Sequence, residues 1–530
     1  MVDPLPLDRI VRSDRWDWWL VPRAWADDVG YYAPGIVIHR DGRVEVHRTH
    51  LPLFAAAGYP VPAGVEREPP EVVRGVELRP WQRRATAWAE DRRGTLIVAE
   101  PRMGKTALAL TLHDPSTGPL VIFAPLDVRA VWLAWVERVF PGANVMCLEG
   151  HEIDVAGLRR ADVVISHYDI LAWQRISGVS IGTLIIDEIH LLSNPTSERA
   201  KAARFFAPLA RRVISLTGTP LWNHISGLWP VLAATNPGAW GSTPFHFKQR
   251  YCSPTVTEHG WKYGEVSHVD EWRARCAEVV FAASWRVERP DLPPTIRRTL
   301  AAQISDDDLL HLDELAATFR GGAGDTTIGA ISRYRKATGM LKVPTAAARA
   351  LAISADEPVV VWGWHKEVIK AIAKITAKAG RATFMIHGDR AIPAAERVRR
   401  IDAWRQEPRG VLCATLAVGQ VGIDLSHARR AIMTEMDWTP VVDYQGEMRT
   451  FDPARVMLID YIAAGHPVEV MVTDHVVRKL ERAEAAAMPA AGSDFSIASN
   501  DWDDGDLLAE LDGILAHSSA RFDDPVGGSC

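Results

Sequence analysis

The 530-residue sequence contains little cysteine and no long apolar run. Its five cysteines are scattered and none forms a CxxC pair, so the sequence predicts neither a zinc site nor a disulfide framework. No stretch of about 18 apolar residues lacks charges, so it predicts no transmembrane helix and no membrane partner. Residues 1–14 carry charges and prolines where a signal peptide needs an apolar segment. Together these absences favour a protein of the reducing cytoplasm, or of the host cytoplasm if a phage encodes it.

A large charge of one sign is also missing, because the net charge is only −6. The charge is unevenly distributed: residues 491–530 contain nine Asp or Glu and one Arg, a net of −8, which leaves residues 1–490 at +2. A weakly basic body is compatible with DNA binding through local patches. Two interpretations of the acidic tail stay open. It is either a solubilising segment, or a short amphipathic helix that docks on a protein partner or on the chain's own basic groove.

From residue 76 onward, short apolar runs alternate with helical patterns, which is typical of a parallel sheet covered by helices. The predicted strands of a first block are Thr95–Ala99, Leu120–Ala124, Asp162–Ser166, Thr183–Ile186 and Arg212–Leu216. Those of a second block are Pro358–Trp362, Ala382–Ile386, Gly410–Cys413, Ala431–Glu435 and Val456–Tyr461. The predicted fold class is therefore α/β, with two parallel-sheet lobes and a helical insertion between them. The predicted domains are an N-terminal region of unknown role (1–75), lobe 1 (76–222), the insertion and bridge (223–345), lobe 2 (346–480) and a disordered acidic tail (481–530).

A phosphate-binding motif follows the first predicted strand of lobe 1. Glu100–Thr106 leads into a helix, and a helix N-terminus presents free backbone N–H groups to phosphate oxygens. In the GxxxxGK[ST] pattern Gly104 lets the backbone approach the nucleotide, Lys105 reaches the β- and γ-phosphates and Thr106 ligates Mg²⁺. The first glycine of that pattern falls on Ala99, so the motif is incomplete. A chance Gly-Lys-Thr at a helix start remains the alternative.

A pair of carboxylates follows another predicted strand of the same lobe. Asp187 and Glu188 come directly after an apolar run, at the strand end where a catalytic acid meets a nucleotide. We expect Asp187 to hold Mg²⁺ and Glu188 to polarise the attacking water. The alternative is an acidic helix N-terminus, which the helix dipole also favours. The presence of Lys105 upstream in the same α/β block favours the catalytic interpretation.

These motifs and several others resemble, in number and order, the Swi/Snf-type ATPases of helicase superfamily two. The resemblance runs from Leu78 to Leu480 and is closest to a compact prokaryotic or phage type. The segments that carry it, besides the two motifs above, are Leu78–Gln82, Leu216–Leu221, Leu228–Pro230, Asn236–Gly238, Phe247–Cys252, Asp291–Pro294, Trp364–Lys366, Ile386–Asp389, Gly419–Leu425 and Asp437–Arg449.

The resemblance implies two RecA-like lobes with ATP and Mg²⁺ bound between them. It assigns adenine recognition to Gln82, further nucleotide contacts to Gly422 and Asp424, and the catalytic arginine to Arg449. It assigns the coupling of ATP to DNA to a larger set, namely His190, Thr217, Gly218, Thr219 and Gln445. Arg102 departs from the family pattern because it stands where the phosphate loop usually has glycine.

A second departure concerns the catalytic arginine. Asp452 stands where the family usually has a second arginine, and Arg455 is a candidate replacement after a local shift at Pro453. Basic side chains that could contact DNA lie at Arg199, Lys201, Arg204, Arg333, Arg335 and Lys336, for which a solvated helix face is an equal alternative. The segment Ser166–Tyr168 resembles a segment of the family that faces DNA.

The function implied by the resemblance is ATP-dependent movement along duplex DNA. The partner would be duplex or forked DNA, bound without regard to sequence, in replication, recombination or repair. Two alternatives stay open: a helicase that separates DNA or RNA strands, and a DNA-binding scaffold that has lost hydrolysis, which only Asp452 suggests.

Overall fold

The structure is a computed structural model that describes residues 9–15, 17–30, 34–62, 70–149, 154–168, 180–218, 225–257, 260–263, 267–317, 327–388, 392–419, 423–437, 440–466 and 469. The described residues fall into two compact units, one that ends at Pro290 and one that begins at Asp291. Among the helices of these residues, none is both long enough and apolar enough to cross a membrane.

The N-terminal region begins the first unit as a small antiparallel sheet with two helices. Asp41-Gly42, a dipeptide typical of a hairpin turn, joins the paired strands β3 (Ile36–Ile38) and β4 (Val44–His47), and Gly42 has a φ of +83°. The sheet has the strand order β1-β2-β4-β3. Its elements are β1 (Val11–Arg12), β2 (Trp18–Val21), α1 (Arg23–Gly30), β3 (Ile36–Ile38), β4 (Val44–His47) and α2 (Leu51–Ala56).

Buried polar contacts hold this small sheet to the rest of the first unit. The Arg48 guanidinium contacts carboxylate oxygens of Asp91 at 2.6 Å and of Glu278 at 3.1 Å. The Arg275 guanidinium is fully buried and donates to Thr49 Oγ1 at 3.2 Å. Removing one partner of such a buried ionic contact is strongly destabilising, so the N-terminal sheet is an integral part of this unit.

The remainder of the first unit is a parallel sheet of seven strands in the order β15-β7-β12-β11-β8-β10-β9, preceded by the short hairpin β5-β6. The five strands predicted for lobe 1 are confirmed as β7, β8, β10, β11 and β12. The elements are β5 (Val72–Val73), β6 (Val76–Glu77), α3 (Pro80–Ala89), β7 (Gly94–Ala99), α4 (Lys105–Thr111), β8 (Leu120–Phe123), α5 (Arg129–Val139), β9 (Val145–Cys147), α6 (Val155–Arg160), β10 (Val163–Ser166), β11 (Ile181–Ile186), α7 (Glu198–Phe206), β12 (Ala210–Thr217), α8 (Leu228–Thr235), α9 (Pro244–Tyr251), β13 (Thr255–Thr257), β14 (Gly260–Lys262), α10 (Val269–Ala277), β15 (Val280–Ala283) and α11 (Trp285–Glu288). All residues of β7 and β11 are buried, because helices cover both faces of a parallel sheet.

The second unit is a parallel sheet of six strands in the order β16-β21-β20-β17-β19-β18, and the five strands predicted for lobe 2 are confirmed within it. Its elements are β16 (Thr295–Ala301), α12 (Asp306–Ala317), α13 (Thr327–Ile353), β17 (Val359–Gly363), α14 (Lys366–Lys378), β18 (Thr383–Ile386), α15 (Ala394–Arg405), β19 (Val411–Thr415), α16 (Leu416–Gly419), β20 (Arg430–Met433), α17 (Pro440–Thr450) and β21 (Met457–Ala463). Helices α13 and α14 share one apolar cluster with the sheet, whereas α15 and α16 share another.

The stretch 223–345 differs from the predicted helical insertion, because its described residues divide between the two units. Strand β15 pairs in parallel with β7 in the first sheet, and β16 pairs in parallel with β21 in the second. Both are edge strands whose partners lie more than 150 residues away in sequence. Such non-local pairing leaves no local pattern for sequence analysis to detect.

Candidate active site

The loop between β7 and α4 is shaped by contacts from both sides. Gly104 has a φ of +96°, and a Cβ there would lie 2.8 Å from Gln82 Nε2, so glycine suits both the backbone and the space. The Arg79 guanidinium donates to the carbonyl of Met103 at 3.1 Å, and Trp285 Nε1 donates to the carbonyl of Pro101 at 3.0 Å. The loop is therefore held open between α3 and α11, with the α4 N-terminus at its end.

Lys105 lies at that N-terminus and its ammonium folds back over the loop. Lys105 Nζ donates to the carbonyls of Ala99 at 2.6 Å and of Glu100 at 3.2 Å. A Cβ on Gly218 would lie 3.4 Å from the same Nζ, so Gly218 leaves room beside the ammonium. Lys105 follows β7 and Gly218 follows β12, which are neighbouring strands. The ammonium and the glycine therefore lie side by side at the carboxyl ends of these strands.

Gln82 lies on α3 beside this loop, and both ends of its amide bond to the backbone. Gln82 Nε2 donates to the carbonyl of Gly104 at 2.9 Å, and Gln82 Oε1 accepts from the Arg79 N–H at 2.8 Å. The side chain is buried, so it fixes the spacing between α3 and the loop. Its predicted contact with adenine stays a prediction.

The carboxylate pair follows β11, which neighbours β12 in the sheet. Asp187 Oδ2 accepts from Trp132 Nε1 at 2.9 Å, and Asp187 Oδ1 accepts from the Glu188 N–H at 3.0 Å. The Tyr168 hydroxyl donates to the Asp187 carbonyl. Glu188 has a φ of +50°, which turns the backbone sharply at the strand end. Two contacts thus hold the Asp187 carboxylate and a third holds its backbone carbonyl, while the turn at Glu188 redirects the backbone directly after it.

Burial is the main influence on the acidity of Asp187. Burial and the neighbouring charge of Glu188 together raise the pKa of that carboxyl from 3.8 to about 6, against the Trp132 hydrogen bond and the charge of Lys105, which lower it. The pKa is raised because the carboxyl is buried in a region of low dielectric and the next residue is a second carboxylate. A carboxyl with this pKa is easily ionised by a cation placed against it.

A histidine connects the carboxylate pair to the end of β12. His190 Nδ1 and Thr217 Oγ1 are hydrogen-bonded at 3.1 Å, and His190 Nδ1 lies 3.3 Å from Glu188 Oε2. The imidazole therefore touches the acid pair on one strand and the segment that leads to Gly218 on the next. Thr219, predicted to act with them, lies outside the described residues.

Two protein families match the chain over its two units. Residues 58–304 match the SNF2-related domain, and residues 343–452 match the helicase conserved C-terminal domain. The chain belongs to the Swi/Snf family of helicase superfamily two.

Relatives with curated names are similar to this chain over much of its length. The SWI/SNF-related matrix-associated actin-dependent regulator of chromatin subfamily A-like protein 1 of Xenopus tropicalis is 25% identical over 396 residues, which cover 71% of this chain and 41% of that protein. The DNA annealing helicase and endonuclease ZRANB3 of Mus musculus is 24% identical over 404 residues, which cover 70% of this chain and 37% of that protein. The chain thus spans about two fifths of the length of these relatives. A solved Sulfolobus solfataricus SWI2/SNF2 ATPase core in complex with dsDNA is 17% identical, with a TM-score of 0.39 over 85% of this chain and 99% of that one.

The family implies a divalent metal together with ATP, and the predicted metal, Mg²⁺, suits the donor types at the carboxyl ends of these strands. The predicted ligands Thr106 and Asp187 offer a hydroxyl and a carboxylate, both hard oxygen donors. In the part of the chain that the structure describes, no three His, Cys, Asp or Glu side chains converge as a metal site. Mg²⁺ commonly binds through one or two carboxylates with substrate phosphates and water, so this small donor set suits a metal that arrives with the nucleotide.

The Swi/Snf motifs of the second unit have their own contacts. Arg449 lies on α17, is buried, and donates from Nε to the Gly419 carbonyl at 2.7 Å. Gln445 is buried on the same helix. The exposed Asp424 caps a turn, because its Oδ1 accepts from the Ser426 N–H at 3.0 Å. Gly422 lies outside the described residues, and the roles predicted for these side chains stay predictions.

The departure at Asp452 has a local structural basis. Asp452 Oδ1 accepts from the Ala454 N–H at 2.9 Å, and Asp452 Oδ2 lies 3.2 Å from Arg455 Nε. The carboxylate thus closes the turn between α17 and β21 and pairs with the only basic side chain of that turn. Arg455 is held by Asp452, so Arg449 is the better candidate for the catalytic arginine.

The basic side chains predicted as DNA contacts are engaged within their own units. The contacts are Lys201 with Glu198 at 2.6 Å, Arg204 with the Pro195 carbonyl at 2.8 Å, Arg335 with the Met436 carbonyl, and Lys336 with Glu367 at 3.6 Å. Tyr168, predicted to face DNA, is buried with its hydroxyl at Asp187. These residues shape the lobes, and their contact with DNA stays a prediction.

Of the three aromatic residues that support the site, the two tryptophans escaped sequence analysis, and Tyr168 was predicted only as a DNA-facing residue. Trp132 and Tyr168 bond to Asp187, and Trp285 bonds to the phosphate loop. A buried tryptophan N–H usually needs an acceptor, which is a usable signal. The acceptor lies 55 residues away from Trp132 and 184 residues away from Trp285, so the sequence alone could not identify it.

Proposed function

We propose that this protein hydrolyses ATP to move along duplex DNA. The observation that carries the proposal is the convergence of Lys105, the Asp187–Glu188 pair and the His190–Thr217 contact at the carboxyl ends of three neighbouring strands. Membership of the Swi/Snf family supports it, as does similarity to a relative named as a DNA annealing helicase.

Each residue would contribute one part of phosphoryl transfer. The Lys105 ammonium would leave the Ala99 carbonyl and bind the β- and γ-phosphates, since phosphate oxygens are stronger acceptors than neutral carbonyls. Asp187 and Thr106 would hold Mg²⁺, which when bound neutralises charge on the phosphates. Glu188 would orient and polarise the attacking water. Arg449 of the second unit would stabilise the charge of the transferring group.

Motion requires that hydrolysis be transmitted to the DNA-binding surface. His190 suits this role because the same imidazole touches Glu188 and Thr217. A change in the position or protonation of Glu188 would alter the contact with Thr217, and with it the segment that follows β12. The grip on DNA would be directed at phosphates, and so independent of sequence and sensitive to salt.

ATPase assays with duplex, forked and single-stranded DNA and with RNA test the substrate. Duplex DNA should stimulate hydrolysis, and added salt should reduce the stimulation steeply. A triplex-displacement assay then tests movement, because a translocase strips the third strand without separating the duplex. Stimulation by RNA alone would contradict the proposal and favour an RNA helicase, and unwinding of the duplex would favour a strand-separating helicase.

Two substitutions separate binding from hydrolysis. Lys105→Ala should weaken ATP binding, since the phosphates lose their cation, whereas Glu188→Gln should keep binding and stop turnover. Thr217→Val serves as the matched control for coupling, because it removes the His190 contact and leaves the phosphate and water positions intact. It should retain basal hydrolysis and lose stimulation by DNA. Wild-type turnover in Glu188→Gln would overturn the assignment of the acid pair.

A further inference from the structure

Lysine is scarce in this chain and is concentrated on one helix. The sequence has 11 lysines against 49 arginines, and four of the 11 lie within the 13 residues of α14. They are Lys366, Lys370, Lys374 and Lys378, each four residues after the last. We call these four side chains the lysine row. The segment 366–381 adds Arg381 and contains one acidic residue, Glu367.

The row lies on the outer face of the second unit. The opposite face of α14 packs on the sheet through Val368, Ile369 and Ile372, all buried. Lys370, Lys374 and Lys378 are exposed, and Lys366 is half-buried. A spacing of four residues corresponds to a rise of about 6 Å, so the row extends for about 18 Å along the helix. It is a continuous line of positive charge rather than a single site.

No carboxylate of the described residues pairs with Lys370, Lys374 or Lys378. The one acidic side chain of the helix, Glu367, is already directed to Lys336 on α13 at 3.6 Å. Like charges four residues apart on a helix repel each other and destabilise it, whereas glutamate at alternate positions would have stabilised it. The row therefore has an unfavourable arrangement in isolation, which a polyanion laid along it would relieve.

The chemistry of the row fits a phosphodiester backbone. Lysine is a flexible point charge that reaches phosphates without fixed geometry, whereas arginine, which this chain uses elsewhere, suits planar bidentate contacts. A regularly spaced row of such charges reads no sequence and suits the regular charge of a duplex. The acidic tail of the chain is a competing polyanion, but its nine carboxylates are interrupted by apolar residues and lack the even spacing of the row.

We propose that the lysine row is a binding surface for the phosphate backbone of duplex DNA. Its first member, Lys366, ends a segment that resembles the Swi/Snf family, whereas Lys370, Lys374 and Lys378 lie outside the segments that carry the resemblance. This inference rests on the proposed function, since it requires that the protein bind duplex DNA. The row would add phosphate contacts on the α13–α14 face of the second unit and would strengthen the grip without touching the nucleotide site.

The salt dependence of DNA affinity tests the row directly. Each phosphate contact contributes about 0.9 to the slope of log K against log salt. Lys370→Gln/Lys374→Gln should therefore lower the magnitude of that slope by about 1.8, and adding Lys378→Gln by about 0.9 more, for a duplex of mixed sequence titrated between about 50 and 200 mM salt. Basal ATP hydrolysis should be unchanged.

A matched control removes the same charge from the other face of the sheet. Arg399 is an exposed residue of α15 and Arg409 is exposed shortly after that helix. Arg399→Gln/Arg409→Gln should leave the slope close to that of the wild type. Thermal unfolding controls for folding, because relief of the lysine repulsion predicts that the lysine variants are at least as stable as the wild type.

The outcomes separate this inference from the proposed function. Failure of the wild-type protein to bind duplex DNA would remove both. Duplex binding by the wild type with an unchanged slope in the lysine variants would overturn the inference alone. Tighter DNA binding by the lysine variants would also overturn it, and would show that the row holds the acidic tail instead.

Discussion

The buried carboxyl of Asp187 gives the stability of the first unit an unusual dependence on pH. Its pKa is raised from 3.8 to about 6, first by burial and then by the charge of Glu188. Between these two pH values the folded protein binds a proton that the unfolded chain has lost. The contribution of this group to stability is therefore complete below pH 3.8, falls as pH rises, and is lost above pH 6. Most paired carboxylates show the opposite trend.

Asp187→Asn isolates this effect because asparagine does not titrate. A shift from 3.8 to about 6 corresponds to roughly 3 kcal/mol of cost to the wild type above pH 6. About 1 kcal/mol of that cost is already present at pH 4.5, so the variant should gain about 2 kcal/mol relative to the wild type between about pH 4.5 and 7.5. Asparagine has one acceptor oxygen, so either Trp132 Nε1 or the Glu188 N–H loses its partner. That loss shifts the difference by a constant and leaves its trend with pH intact.

Urea unfolding followed by tryptophan fluorescence, at constant ionic strength, measures the difference in free energy of unfolding at each pH. Glu188→Gln is the control background, because it removes one of the two causes of the raised pKa. In that background, the gain in free energy of unfolding that Asp187→Asn shows as pH rises should be smaller but still present, since burial is the larger cause of the raised pKa. A difference that stays flat across the range, or that falls as pH rises, would refute the reasoning and show that Asp187 is ionised in the folded protein.

Three further outcomes follow from the same structure. Arg449→Ala should reduce turnover by about 10³–10⁵-fold while ATP binding survives, whereas Arg455→Ala should change turnover little because its side chain is already ion-paired. Steady-state ATPase and nucleotide-binding assays measure both effects, and full activity of the double variant would exclude both arginines as the catalytic one. Arg102→Gly should raise the free energy of unfolding by up to about 1 kcal/mol, since an arginine in the left-handed region costs more than the entropy that glycine adds to the unfolded chain. Urea unfolding measures the change, and Arg102→Ala, the control, should not be more stable than the wild type. Trp132→Phe removes a hydrogen bond that lowers the pKa of Asp187, so Mg²⁺-dependent nucleotide binding should require a higher pH, and an unchanged pH profile would contradict it.

The sequence predicted the central strands well because each carries its own signal. A strand such as β7 or β11 is buried on both faces, so its residues are uniformly apolar and end at a loop with recognisable chemistry. The edge strands β15 and β16 carry weaker signals: β16 mixes charged with apolar residues and is largely exposed, and both depend on distant partners. Local periodicity could not predict pairings that only the folded sheet creates.

The residues of the candidate site also divide into those that the sequence could predict and those that it could not. Lys105, Asp187 and Glu188 could be named in advance because phosphate binding and water activation need those residue types at strand ends. The contacts of Trp132 and Tyr168 with Asp187 could not be predicted, because either residue would serve equally well as ordinary core. Their contribution depends on distances across the sheet that no spacing in the sequence encodes.

The phosphate loop and the acid pair of the first unit share an unusual backbone conformation. Six non-glycine residues of the described chain have positive φ, and two of them are Arg102 at +67° and Glu188 at +50°. Such conformations cost energy and persist where the surroundings impose them, commonly at functional sites. Arg102 lies in the phosphate loop, locked by the Arg79 guanidinium on its carbonyl, and Glu188 lies in the acid pair, beside the hydrogen bonds that fix Asp187. Two strained turns, at the ends of the strands on either side of β12, are more than sheet packing requires, since the same strands could end in relaxed turns. The strain is explained if the loop must present its N–H groups, and Glu188 its carboxylate, toward a nucleotide.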